Sequence, residues 1–121
     1  MFYIDFDKTN NLLTLKISAD FDETQAKQCL KDMENCLEEA NSGVRILTDL
    51  TGLDRMDSAA RKYFEQMMDV CNQKQPVEIV RIIPDKSKDI GFSIMSVFHY
   101  DKSVKIITCQ SREEALTRLK I

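Results

Sequence analysis

The chain opens on two short stretches in which apolar and polar positions alternate, Phe2-Tyr3-Ile4-Asp5-Phe6 and Leu13-Thr14-Leu15-Lys16-Ile17-Ser18-Ala19, separated by the polar run Asp7-Lys8-Thr9-Asn10-Asn11. Strand side chains point alternately to two faces, so this period of two predicts two half-buried strands joined as a hairpin. From Asp22 the period lengthens. Ala26, Cys29, Leu30, Met33, Leu37 and Ala40 recur at three and four residues, while Lys27, Lys31, Asp32, Glu34, Glu38 and Glu39 fall between them. That spacing predicts an amphipathic helix entered through Asp22, with Gln25 at capping-box distance and Asn41-Ser42-Gly43 as its stop.

The two periods go on alternating. Val44 to Thr51 predicts a strand, a turn is expected at Gly52, and Asp57 to Gln75 predicts a second helix with Asp57 as N-cap and Ala60, Tyr63, Phe64, Met67, Met68 and Cys71 turned inward. Next come a strand from Val77 to Ile83 between two prolines, a short apolar helix from about Lys88 to Tyr100, and a strand from Val104 to Cys109. A last helix is opened by Ser111, with Glu114 three residues on as in a capping box. The order β-β-α-β-α-β-α-β-α predicts an α/β fold, a mainly parallel sheet with an N-terminal antiparallel hairpin strand. Because the strands are polar at alternate positions, one sheet face should be wetter than the other and the helices should lie largely on one face.

At 121 residues the chain fits a single domain spanning 1–121. A composition of 43% apolar and 31% charged residues excludes disordered and low-complexity classes. The net charge of −3 speaks against nucleic acid, which needs a basic surface. Neither a leader peptide nor an apolar run long enough to span a bilayer is readable, so a cytoplasmic protein without a membrane segment is expected. Cys29, Cys36, Cys71 and Cys109 form no C-x-x-C pair and have one histidine beside them, so no metal, no cofactor and no disulfide is expected.

Candidate chemistry is sparse. No glycine-rich phosphate loop occurs, and His99 is the one histidine that could act as a base; at the end of an apolar helix it suits the capping of terminal carbonyls. Polar residues gather instead between the third strand and the second helix, where ligands bind in open α/β sheets. Asp49, Thr51, Asp54, Arg55, Asp57 and Ser58 there make a candidate recognition loop. Lys86 and Lys88 precede a helix start, a place that suits an anion, without the glycines that would cradle one. Phe92, Met95, Val97 and Phe98 are more apolar than one buried helix face needs, and with Met67 and Met68 they make a candidate apolar pocket or partner surface.

Ile46-Leu47-Thr48-Asp49-Leu50-Thr51-Gly52-Leu53, followed by Met56-Asp57-Ser58, resembles the STAS family, the anti-sigma factor antagonist domain, and its SpoIIAA-like relatives. The likeness takes in the opening hairpin, the helix after Ala19-Asp20 and the terminal Ser111-Arg112-Glu113-Glu114-Ala115-Leu116. Asp89-Ile90-Gly91-Phe92 and Phe98-His99-Tyr100 are similar to a divergent SpoIIAA-like subgroup. In the antagonists the turn into the second helix reads Asp-Ser-Ser-Gly, and its second serine accepts phosphate from a partner kinase. Here it reads Asp57-Ser58-Ala59-Ala60, with alanine at the acceptor position. The resemblance thus implies a non-enzymatic regulatory domain that binds a protein partner and is not phospho-switched at the usual position, with a homodimer left open. Two rival readings stand beside it: a carrier of a small apolar or lipid-like ligand, and an enzyme using Asp49, Asp57 and His99.

Overall fold

The computed structural model describes residues 1–83 and 85–121, and of residues 86–91 and 93 the backbone alone. The expectation about the Lys86 and Lys88 side chains therefore falls outside the described residues. Five strands, β1 (Phe2–Asp7), β2 (Leu12–Phe21), β3 (Arg45–Met56), β4 (Glu78–Ile82) and β5 (Lys105–Cys109), form one sheet in the order β1-β2-β3-β4-β5. β1 runs antiparallel to β2, and every other pair is parallel. The helices are α1 (Glu23–Leu37), α2 (Ser58–Gln73), α3 (Lys86–His99) and α4 (Arg112–Leu119).

Alternation along the strands produces two cores. Leu13, Leu15, Ile17, Ile46, Leu50, Ile79 and Ile83 turn to the face covered by α1, α2 and α3, where Ala26, Cys29, Met33, Phe64, Met67 and Phe92 meet them. Leu12, Leu47, Val80 and Ile82, one residue out of phase, meet Ala115 and Leu119 of α4 on the opposite face. Three helices thus share one face and α4 takes the other. Each of α1, α2 and α3 joins two parallel strands, and right-handed crossovers in one direction along the sheet put them on the same side. α4 follows the last strand and joins nothing, so that rule does not reach it.

Two of the expected helix caps form. The Asp22 carboxylate accepts the Gln25 N–H at 2.8 Å, and the Ser111 hydroxyl accepts the Glu114 N–H at 3.1 Å while Glu114 Oε2 takes the Gln110 N–H at 3.0 Å. The third does not. Asp57 holds the N-cap position with extended backbone, but its side chain makes no capping hydrogen bond; its backbone carbonyl accepts the Ala60 and Arg61 amides instead.

The sheet also corrects the expected turn at Gly52, because β3 continues to Met56. Its continuation pairs with the equally extended end of β2, Ser18 with Gly52 through Phe21 with Met56, across register shifts at Lys16/Ser18 and Ala19/Asp20. The pairing supplies hydrogen-bond partners that a turn would otherwise have needed to find locally. Gly52 fits because of a close approach: a Cβ there would stand 3.0 Å from Ser18 Cβ.

Candidate functional site

The extended ends of β2 and β3 deliver the proposed recognition residues to the carboxyl end of the parallel strands, beside the start of α2. What the sequence presented as one loop is mostly strand, and the strand distributes its residues over two faces. Asp49 is buried on the α4 face, where one oxygen accepts the Thr51 N–H at 3.0 Å and the other lies 3.8 Å from Arg112 Nη1. It is a brace for the bulged strand, in contact with Thr51 of the set and with Arg112 of α4. Thr51 is exposed on the strand, and Asp54, Arg55 and Ser58 are exposed farther along.

Arg55 organises the outer part. Its Nη2 lies 3.9 Å from Asp20 Oδ2 and 3.5 Å from Asp57 Oδ1, linking the end of β2 to the first turn of α2. This pairing is why Asp57 does not cap: its carboxylate turns to the guanidinium. The Asp57 N–H donates to the Phe21 carbonyl at 3.1 Å, so the helix start is fastened to β2 by backbone as well. Next to these charges lies a cleft of about 340 Å³ lined by Leu53, Asp54, Arg55, Met56, Arg61, Phe92 and Met95. Its floor is apolar and its rim carries two arginines and an aspartate.

The six residues of the expected apolar pocket do not converge. Met67 and Met68 are buried between α2 and the sheet, and the space beside them is about 20 Å³, enough for one water. Phe92 and Met95 line the charged-rim cleft, Phe92 with its ring 5.2 Å from that of Phe64. Val97 and Phe98 are 77% and 79% exposed, on the outer side of α3 with Ile94. The cause is that α3 rests on the sheet and α2 through one face only, leaving its apolar surplus outside.

His99 does not cap the carbonyls of its own helix. Its Nδ1 lies 2.7 Å from Asp69 Oδ1 and its Nε2 3.4 Å from Glu65 Oε1, both on α2. Burial works to lower its pKa, but the two carboxylate hydrogen bonds outweigh that and raise it. It stands on the α2 side of the sheet and Asp49 under α4, so the triad Asp49, Asp57 and His99 is not assembled. The four cysteines are free thiols; burial pushes Cys29 and Cys71 up to about 12, which holds them protonated and poor as nucleophiles. Among the described residues no group of three His, Cys, Asp or Glu side chains is placed to hold a metal, and no helix is long and apolar enough to cross a membrane.

Two residues that the sequence reading passed over belong to this part of the molecule. Arg61, one turn into α2, closes the cleft rim; nothing in the local pattern distinguishes it from an ordinary exposed helix residue. Arg81 had a signal: it is the one charge in the otherwise apolar run from Ile79 to Ile83, at the phase that faces the helices. It is 3% exposed and donates through Nη2 to the Ser96 hydroxyl of α3.

Comparison with known proteins matches this architecture. A search of curated protein sequences returns no match. A structure from Shewanella loihica, of the DUF3478 family with a SpoIIAA-like fold, is similar with a TM-score of 0.75 at 15% identity, covering 98% of this chain and 93% of that one. The anti-sigma factor antagonist SpoIIAA in its unphosphorylated form gives 0.72 at 13% identity, with 99% and 98% covered. The phosphorylated Bacillus SpoIIAA gives 0.67 at 15%, with 98% and 99% covered. At such identities the likeness establishes the fold. The STAS domain family model matches residues 3–108, from the first strand to the last, and on that match the chain belongs to the STAS domain family.

Proposed function

We propose that this chain is a non-enzymatic regulatory module that binds a protein partner at the carboxyl end of its parallel strands. The observation that carries the reading is the make-up of the Leu53–Met95 cleft: an apolar floor of Leu53, Met56, Phe92 and Met95 under a rim of Arg55, Arg61 and Asp54. Arginine, methionine and aromatic groups around a desolvated centre are what protein interfaces concentrate. Membership of the STAS family supports binding over catalysis, and the similar SpoIIAA structures are those of an anti-sigma factor antagonist.

Binding here is constitutive in this reading. Ala59 stands where the family's phosphate acceptor would be, and Ser58, one residue earlier, projects about 100° away from that position around the helix. The test is retention of a partner from native-host lysate by the wild type, by Ser58→Ala and by Arg55→Glu/Arg61→Glu. The wild type and Ser58→Ala should hold the same partner, and the double charge reversal should retain it at least about tenfold less well. Equal retention by all three would overturn the surface assignment, and substantial phosphate on Ser58 in host-derived protein would overturn its constitutive character.

A further inference from the structure

β1 is the strand at one end of the sheet and pairs with β2 alone. Met1 and Ser18 exchange two backbone hydrogen bonds, at 3.0 and 2.8 Å, and this fixes the phase of the ladder. In an antiparallel pair such exchanges recur at every second residue, so Tyr3, Asp5 and Asp7 bond to β2 while the N–H and C=O groups of Phe2, Ile4 and Phe6 point out of the sheet. Among the described residues nothing takes those groups. A regular strand left open in this way is a template for another strand, and proteins commonly blunt it with a proline, a lysine or a bulge. β1 carries no proline and no lysine, and its register against β2 has no shift. We propose that this edge is the interface of a two-fold homodimer, in which β1 of one protomer pairs antiparallel with β1 of its partner about Ile4.

Self-complementarity selects both the occupant and the register. With Ile4 opposite the partner's Ile4, Phe2 stands opposite the partner's Phe6, and each of these pairs exchanges both N–H···O bonds, so every outward group of the strand is used. Tyr3 then stands opposite the partner's Asp5, with Lys16 of β2 on the other side of Tyr3. On that face Lys16 and Arg112, which also approaches Asp49 at 3.8 Å, border a cleft of about 460 Å³ beside Tyr3. Asp5 and Asp7 lie at the far end of the strand, so the two-fold axis lays the basic end of each protomer against the acidic end of the other. A register centred on Asp5 or Phe6 would instead set carboxylates directly opposite one another, which is unfavourable, and one centred on Tyr3 would leave the outward groups of Phe6 unmatched. On the other face Phe2, Ile4 and Phe6 are half-buried against the main core, and the pairing covers apolar surface that they still expose. The contact uses the same edge on both copies and therefore closes at two; its small size places it among weak interfaces. It shares no residue with the Leu53–Met95 cleft and does not depend on the partner-binding reading.

Sedimentation velocity of the intact protein between about 1 μM and about 1 mM should show a concentration-dependent rise from the monomer mass toward twice that mass, and amide exchange at Ile4 and Phe6 should slow over the same range. Asp5→Lys and Lys16→Asp change exposed side chains, and each sets like charges across the axis. Each variant alone should self-associate at least about tenfold more weakly than the wild type. An equimolar mixture of the two should recover association close to that of the wild type, because in the mixed dimer both contacts across the axis again join opposite charges. A monomer at every concentration, a dimer that neither variant weakens, or a mixture no more associated than its components would each overturn the proposal.

Discussion

At the scale of single residues, Asp22, Asp57 and Ser111 occupy the same kind of position and do different work. Asp22 and Ser111 accept amide hydrogens that the first helical turn cannot satisfy, whereas the Asp57 carboxylate lies 3.5 Å from Arg55 and caps nothing. Replacing a working cap by alanine costs about 1 kcal/mol, and an exposed ion pair contributes roughly 0 to 1 kcal/mol. Asp22→Ala and Ser111→Ala should therefore each lower stability by about 1 kcal/mol and Asp57→Ala by under about 0.5 kcal/mol. Denaturant midpoints measured side by side check this, and an Asp57→Ala loss as large as that of Asp22→Ala would mean the carboxylate caps in solution.

At the scale of elements, the paired ends of β2 and β3 decide what the site is. Without the pairing of Ser18 to Phe21 with Gly52 to Met56, Arg55 would have no fixed relation to Asp20 and the cleft no floor. The register shift brings Ser18 against Gly52 so closely that a methyl group there would touch Ser18 Cβ at 3.0 Å, with Ser18 Cα at 3.5 Å behind it. The neighbouring Ala19 already sits at φ 59°, in the left-handed region, so the strand has little freedom to retreat. Gly52→Ala should destabilise by about 1 to 3 kcal/mol, the usual cost of forcing extra volume into a packed contact, and should loosen β2 and β3 beyond the shift more than before it. Thermal unfolding together with amide exchange at Leu53 and Phe21 measures both; an unchanged midpoint would show that the strands part without cost.

At the scale of the whole molecule, α3 borders two clefts, contributing Phe92 and Met95 to the charged-rim cleft and Ser96 and Val97 to another between itself and β5. Its far end is held to α2 by His99 between Asp69 and Glu65, with Asp101 following and the Asp101 N–H donating to Asn72 at 3.1 Å. The folded pKa of His99 is raised above its ordinary 6.5. The stabilisation is therefore complete below the unfolded value and is lost as pH rises through the folded one. Amide protection along the last turn of α3, corrected for intrinsic exchange, should fall as the pH is raised above histidine's ordinary value, and His99→Gln should remove that change. Equal pH dependence in wild type and variant would assign the effect to another group.

Much of this molecule follows from the order of residues alone. The alternation of periods two and three-to-four names the nine elements in sequence. The caps at Asp22 and Ser111 and the parallel sheet with its antiparallel first strand follow from local hydrogen-bonding capacity and from the handedness of crossovers. The polar cluster after Leu50 was legible as a place, because polar residues stand there where strands end. Its shape was not. Whether Gly52 turns or continues depends on whether another strand lies alongside to take its hydrogen bonds, and that strand is more than thirty residues away in β2. Asp57 could be read as a cap because its spacing fits one, but the choice between helix amides and Arg55 is a competition settled in three dimensions. Arg81 shows the same division. Its phase in the strand, shared with Ile79 and Ile83, carried a signal that went unused, while only the packing of α3 across it decided that the Ser96 hydroxyl would accept one of its hydrogen bonds and that an open cleft would lie beside it.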